Sequence, residues 1–170
     1  MSAPPIPLTA LKDPVLLLAT GFGSGLLRPA PGTWGTVAAL PLIALLLWLP
    51  ALPAWILLGV LTLLGIPLCE QAGRRLGVSD HGGIVYDEII GFALAALLVA
   101  DDWLTLLACF LAFRLFDIVK PWPVSWADRQ IGGGLGVMLD DLLAALYAAA
   151  VVALLQFAYQ GGLPATLGGG

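Results

Sequence analysis

The chain alternates long apolar runs with short polar breaks. From residue 33 to residue 69 there is no charge, and the proline-bearing turn at 50–53 divides this run into 34–49 and 51–69. Three further runs follow. Residues 82–100 are apolar except for Asp87 and Glu88, residues 103–119 except for Arg114 and Asp117, and residues 137–159 except for Asp140 and Asp141. Each run approaches the ~20 residues that cross a hydrocarbon core. The pattern predicts an all-α polytopic membrane helix bundle of about five spanning helices. Residues 14–27 are also uncharged, but the stretch is short and carries Gly21, Gly23 and Gly25, so it predicts an N-terminal re-entrant or interfacial segment rather than a sixth span.

Composition supports the membrane reading. Of 170 residues, 60% are hydrophobic and 11% are charged, against about 25% charged in soluble domains. A soluble bundle of this size would lack the polar shell needed to cover such helices. Seven basic residues and a net charge of −4 cannot form the cationic face that nucleic-acid binding needs, which excludes nucleic acid as a partner. Residues 1–170 read as one membrane-embedded domain, with a cytoplasmic tail at 1–13 and a flexible tail at 160–170.

The basic residues orient the bundle. Lys12 and Arg28 precede the first span, Arg74 and Arg75 follow the second, and Arg114, Lys120 and Arg129 lie at or beyond the end of the fourth. The opposite loops hold no Lys or Arg, so the N-terminus is expected in the cytoplasm and the C-terminus outside. Trp34, Trp122 and Trp126 then fall at the cytoplasmic boundary, and Trp48, Trp55 and Trp103 at the outer one, as two aromatic belts. No secretory signal is expected, because the first apolar run lacks a small-residue cleavage site. Cys69 and Cys109 give no basis for a disulfide framework.

Alternating spans bring the start of the third helix, the end of the fourth and the start of the fifth to one face. Asp87, Glu88, Asp117, Asp140 and Asp141 converge there, although a charge within an apolar helix costs about 2.5–3.5 kcal/mol at its centre. Close carboxylates repel, so protons or cations must neutralise some of them. Oxygen donors of this kind suit Mg²⁺, Mn²⁺ or Ca²⁺. Helix N-terminal capping is the structural alternative for Asp87, Asp140 and Asp141. It fails for Asp117, which sits near a helix C-terminus but could pair with Arg114 or Lys120, each three residues away.

The same face carries anion donors. Arg114 offers a bidentate phosphate fork and Lys120 a point charge. The glycine-rich stretches at 20–25 and 31–35 can expose backbone N–H groups, the second of them, with Gly32 and Thr33, just before a helix N-terminus. The GGGLG stretch at 132–136 reads either as a backbone approach to the site or as a flexible connector. His81 is the only histidine, so a two-histidine mechanism is unavailable. It could donate to a phosphate or act as an acid, or be a plain surface residue. Cys69 and Arg75 match C-x₅-R, but Glu70 beside the sulfur disfavours a thiolate.

The blocks GFGSGLLRPAPGTWGT (21–36), HGGIVYDEIIG (81–91), FRLFDIVKPWP (113–123) and GGGLGVMLDD (132–141) resemble the phosphatidylglycerophosphatase A family. The resemblance implies a Mg²⁺-dependent hydrolase of the bacterial inner membrane. Its reaction would remove the terminal phosphate of phosphatidylglycerophosphate, giving phosphatidylglycerol in phospholipid biosynthesis. Its substrate would be a phospholipid of the inner leaflet, and its active site cytoplasmic. By position, the acids of the D-E, F-D and D-D motifs are Asp87, Glu88, Asp117, Asp140 and Asp141, expected as metal ligands and catalytic groups. Arg114, Lys120, Gly32, Thr33 and His81 are expected at the substrate. Both direct attack by water and an aspartyl-phosphate route fit these residues. Ala145 stands where the family pattern suggests glycine, which bears on helix packing. Other readings are a phosphatase of a polyprenyl phosphate or phosphatidate and, from another class, a divalent-cation carrier. The carrier reading lacks ionisable residues at the midplane of the first, second and fifth spans.

Overall fold

The structure is a computed structural model that describes residues 5–78 and 81–161. Residues 1–4 of the N-terminal tail, Ser79 and Asp80, and residues 162–170 of the expected flexible tail lie outside the described residues. Every regular element among them is helical: α1 (Pro14–Ala19), α2 (Pro31–Ala38), α3 (Leu40–Trp48), α4 (Ala51–Leu76), α5 (Tyr86–Val99), α6 (Trp103–Val119), α7 (Val124–Gln130) and α8 (Gly133–Gly161), with 3₁₀ turns at Leu8–Lys12 and Ser24–Leu26.

The N-terminal segment matches the expected short element. Asp13 accepts from Val15 N–H at 2.9 Å to start α1, which lasts six residues before the turns around Gly21 and Gly23. The first apolar run folds as α2 and α3, separated by a turn at Ala39. Pro41, in the first turn of α3, has no N–H to return to the preceding turn, which accounts for the break. The second run becomes α4, seven residues longer than the apolar run. It stops at Gly77, which takes the left-handed conformation (φ 71°), while Val78 N–H reaches back to Gly73 O at 3.1 Å.

Among the described residues, three stretches are long and apolar enough to cross a membrane: Pro31–Trp48, Ala51–Leu76 and Gly133–Tyr159. The third expected span is shorter than its apolar run suggested, whereas the fourth, α6, spans the 103–119 run in full. α5 begins only at Tyr86, because residues 81–84 form a turn in which Ile84 N–H bonds His81 O at 2.7 Å. With 14 and 17 residues, α5 and α6 extend roughly 21 and 26 Å, somewhat under the ~30 Å of a hydrocarbon core.

α8 is the hub of the bundle, packed against α4, α5, α6 and α7. Small residues permit this. Ala93, Ala95 and Ala96 of α5 are buried with Ala144, Ala145 and Ala148 of α8, so Ala145 sits in the close-packed seam where glycine was anticipated. Phe92 anchors α5 against α6 by stacking on Phe113 at 6.1 Å and meeting Phe110 edge-on at 5.7 Å. The outward faces are apolar instead of polar. Leu104, Leu107, Leu111, Leu115 and Ile118 form an exposed stripe along α6 at helical spacing. An exposed stripe of this extent is a lipid-facing or partner-facing surface, not that of a soluble domain. All six tryptophans are exposed near helix ends, as interfacial belts require.

The GGGLG stretch is neither a ligand loop nor a flexible connector. Gly133, Gly134 and Gly136 belong to the first turns of α8. A Cβ on Gly134 would lie 1.9 Å from Ile66 O of α4, so only glycine lets the two backbones meet. Glu70 of α4 completes the joint by accepting from Gly134 N–H at 2.7 Å, a cap for α8 supplied by another helix.

Candidate active site

The acids of α5, α6 and α8 meet at one end of the bundle. Asp87 and Glu88 stand in the first turn of α5, and no side chain caps that helix. Asp140 and Asp141 stand seven and eight residues into α8, roughly 10 Å along its axis. The N-terminal alternative therefore fails for Asp140 and Asp141, while Asp87, in the first turn of α5, keeps the favourable helix dipole. Asp117 joins them from the last turn of α6. All five line a cavity of about 110 Å³, together with Lys120, Gly82, Ile84 and Val137. At about 30 Å³ per water, that volume holds a small hydrated ion or a few waters, not a whole lipid headgroup.

The five carboxylates divide by partner. Asp117 Oδ2 accepts from Arg114 Nη1 at 2.8 Å, one turn away on α6, with both side chains only about 15% exposed. This is the pairing open to Asp117 from sequence. Asp140 is paired with the ammonium of Lys120, which also bonds Asp128 of α7. The remaining three, Asp87, Glu88 and Asp141, each present an oxygen within 4.8 Å of the others. Glu88 Oε2 and Asp141 Oδ2 are buried without a hydrogen-bond partner. A buried carboxylate oxygen left unpaired is costly. Three hard oxygen donors around one small cavity fit a hard divalent cation.

Arg114 ties three helices together. Besides Asp117, its Nη1 lies 3.8 Å from Glu88 Oε1 and 3.5 Å from Thr36 Oγ1 of α2. Thr36 in turn donates to Gly32 O at 2.8 Å. Gly32 itself faces the site, where a Cβ would come 2.3 Å from Glu88 Oε1 and 3.0 Å from Arg114 Nη1. The glycine thus allows close approach of α2 to side chains of α5 and α6. Thr33 follows on α2, half-buried, and does not line the carboxylate cavity.

Lys120 ends α6 in the left-handed region (φ 45°), which is uncommon for a side chain of this kind and costs about 1–2 kcal/mol. Burial alone would lower the pKa of its ammonium. The hydrogen bonds to Asp128 and Asp140 outweigh that and raise it.

His81 is buried, which corrects the surface reading, and its Nδ1 accepts from Gly83 N–H at 3.1 Å. It does not line the carboxylate cavity. It lines a neighbouring cavity of about 680 Å³ with Arg28 and Pro31, and Gly82 borders both spaces. Cys69 is wholly buried against Met138, and Arg75 is paired with Asp13, so the C-x₅-R spacing assembles no thiol site.

Sequence reasoning missed Thr36, Asp128 and Glu70. Thr36 carried a signal in its position four residues after Gly32. Asp128 reaches Lys120 across the turn between α6 and α7 and Glu70 reaches Gly134 from a helix distant in sequence, so no spacing within one helix marks either.

An all-helical bundle with apolar outward faces that gathers carboxylates and cations at one end has the features of a membrane protein with a polar site. Residues 17–156 match the family model described as phosphatidylglycerophosphatase A, and the chain belongs to that family. It is 44% identical to a phosphatidylglycerophosphatase A of Haemophilus influenzae over 155 residues, covering 90% of this chain and 95% of the relative. It is 42% identical to a phosphatidylglycerophosphatase A of Escherichia coli over 147 residues, covering 84% and 83%. A third relative, a putative phosphatidylinositol-3-phosphatase of Bacteroides thetaiotaomicron, is 36% identical over 155 residues, covering 84% and 93%. No solved structure matches the chain.

Proposed function

We propose that this protein hydrolyses the terminal phosphomonoester of phosphatidylglycerophosphate, releasing phosphatidylglycerol and inorganic phosphate. Family membership supports the substrate. The observation that carries the chemistry is the three-carboxylate cluster of Asp87, Glu88 and Asp141, in which Glu88 Oε2 and Asp141 Oδ2 are buried without a hydrogen-bond partner, beside two cations. Asp87, Glu88 and Asp141 would hold Mg²⁺, which supplies charge neutralisation at the phosphoryl oxygens.

The chain's own residues do the rest. Lys120 presents an ammonium at the cavity rim to the phosphate, while Arg114, fixed by Asp117 and Thr36, does not line the cavity and lends its charge from behind Asp117 and Glu88. Asp117 and Asp140 hold these two cations and are assigned to that role rather than to the metal. The cavity admits the phosphoryl group, while the rest of the lipid stays outside it.

We propose further that the protein lies in the bacterial inner membrane with about five spans, the N-terminus and active site on the cytoplasmic side and the C-terminus periplasmic. The one-sided distribution of Lys and Arg supports this orientation. The phosphomonoester of an inner-leaflet lipid then reaches the site without leaving the membrane.

The name of the Bacteroides relative points to a second reading, a phosphomonoester on another lipid headgroup. A panel of phosphatidylglycerophosphate, phosphatidate, phosphatidylinositol 3-phosphate and a polyprenyl phosphate, offered to purified protein in mixed micelles, separates them. The highest kcat/KM is expected on phosphatidylglycerophosphate, and a higher value on any other lipid would contradict the assignment.

A further inference from the structure

Lys120 is held from two directions. Its ammonium bonds Asp140 of α8, which lines the carboxylate cavity, and Asp128 of α7, which does not. Asp128 instead lines a smaller space of about 70 Å³ that shares Asp140 and Val137 with the carboxylate cavity. The short α7 is built to present it. Val124 and Ala127 are buried, Ser125 N–H bonds Pro121 O at 3.1 Å and Ala127 N–H bonds Pro123 O at 3.0 Å, while Asp128 projects at the surface.

An ammonium has three N–H donors. Two are taken by Asp128 and Asp140, leaving one for an oxygen in the cavity. With Asp140 as sole partner, the lysine would be one half of a pair buried inside the acid cluster. A second acceptor outside the cavity keeps the ammonium at the rim, where an incoming phosphoryl oxygen can meet it. The left-handed backbone at Lys120 turns the chain away from the α6 axis and toward these two partners.

We infer that Asp128 is a positioning residue, which holds the Lys120 ammonium at the rim of the carboxylate cavity to receive a phosphoryl oxygen of the substrate. This rests on the phosphatase reading above. The Lys120–Asp128 pair is partly solvent-exposed, and such pairs add little to folding stability. Its loss is therefore expected in substrate use and not in melting temperature.

The test is a double-mutant cycle on phosphatidylglycerophosphate hydrolysis at saturating Mg²⁺, with wild type, Asp128→Asn, Lys120→Gln and the double variant, each with its melting temperature. Asp128→Asn is expected to lower kcat/KM roughly tenfold, mainly through KM, and Asp128→Glu to recover most of it. In the Lys120→Gln background the same change is expected to alter kcat/KM by less than about twofold, because the group it positions is gone. An equal loss in both backgrounds, or no loss in the wild-type background, overturns the inference. A wild-type protein that hydrolyses no lipid phosphate overturns the phosphatase reading, and this inference with it.

Discussion

Gly32 of α2 and Glu88 of α5 stand so close that a methyl group on the glycine would come within 2.3 Å of the carboxylate. The contact lets α2 seal one side of the site while Thr36, one turn on, holds Arg114. Gly32→Ala is expected to push Glu88 and Arg114 out of place and lower kcat by about tenfold or more, since small displacements at a reacting centre are costly. Full activity would show that α2 does not support this geometry. Gly59 of α4, where an added Cβ meets nothing within 4 Å and which lines none of these cavities, is the control: Gly59→Ala should stay near wild type.

Asp117 tests the division of labour among the acids. Its pair with Arg114 is largely buried, so Asp117→Asn leaves a guanidinium short of its partner. Stability should fall by about 1–3 kcal/mol, together with activity, and the Mg²⁺ requirement should not change. A large loss of activity with unchanged melting temperature and a raised Mg²⁺ requirement would make Asp117 a metal ligand.

The joint between α4 and α8 gives a purely structural prediction. Gly134→Ala places a methyl 1.9 Å from Ile66 O and must separate the helices, at about 1–3 kcal/mol or more. The yield of folded, detergent-stable protein should drop sharply. Gly132→Ala, with open space around it, should purify normally. Equal behaviour of the two variants would contradict the packing described.

Lys120 is expected to leave the pH profile flat through the working range. Burial pulls its pKa down, but Asp128 and Asp140 raise it above the ordinary lysine value. A pKa raised on folding gives stability that is complete below the unfolded value of about 10.4 and is lost only as pH climbs through the folded one. Between about pH 6 and about pH 9 the ammonium therefore stays charged, and the pH–rate profiles of wild type and Lys120→Arg should have the same shape. An alkaline limb in that window that disappears in Lys120→Arg would show a lysine titrating where the structure keeps it protonated.

Much of this arrangement was legible in the chain. Uncharged length predicted the helices, and their alternation brought Asp87, Glu88, Asp117, Asp140 and Asp141 to one end. Hydrophobic length does not reveal where a helix begins, so α5 was started four residues early and α8 four residues late, and the short α7 was missed. The glycines at 132–136 looked like a loop because the contact that requires glycine at 134, with Ile66 O, lies almost seventy positions away in sequence. Ion-pair choice was equally hidden. Arg114 and Lys120 are both three residues from Asp117, yet α6 ends at Val119 and the left-handed Lys120 turns away to Asp140 and Asp128. Only Arg114 remains with Asp117.

The central claim is that Asp87, Glu88 and Asp141 form a divalent-cation site that hydrolyses a lipid phosphomonoester. Phosphate release from phosphatidylglycerophosphate by detergent-purified wild type and Asp141→Asn, with Mg²⁺ titrated before and after EDTA, tests it most directly. Wild-type release should stop with EDTA and return with Mg²⁺. Asp141→Asn, still folded, should be slower by roughly 100-fold or more, as the loss of several kcal/mol of charge stabilisation requires. Undiminished release in EDTA, or an Asp141→Asn protein with wild-type turnover and Mg²⁺ dependence, would contradict the account.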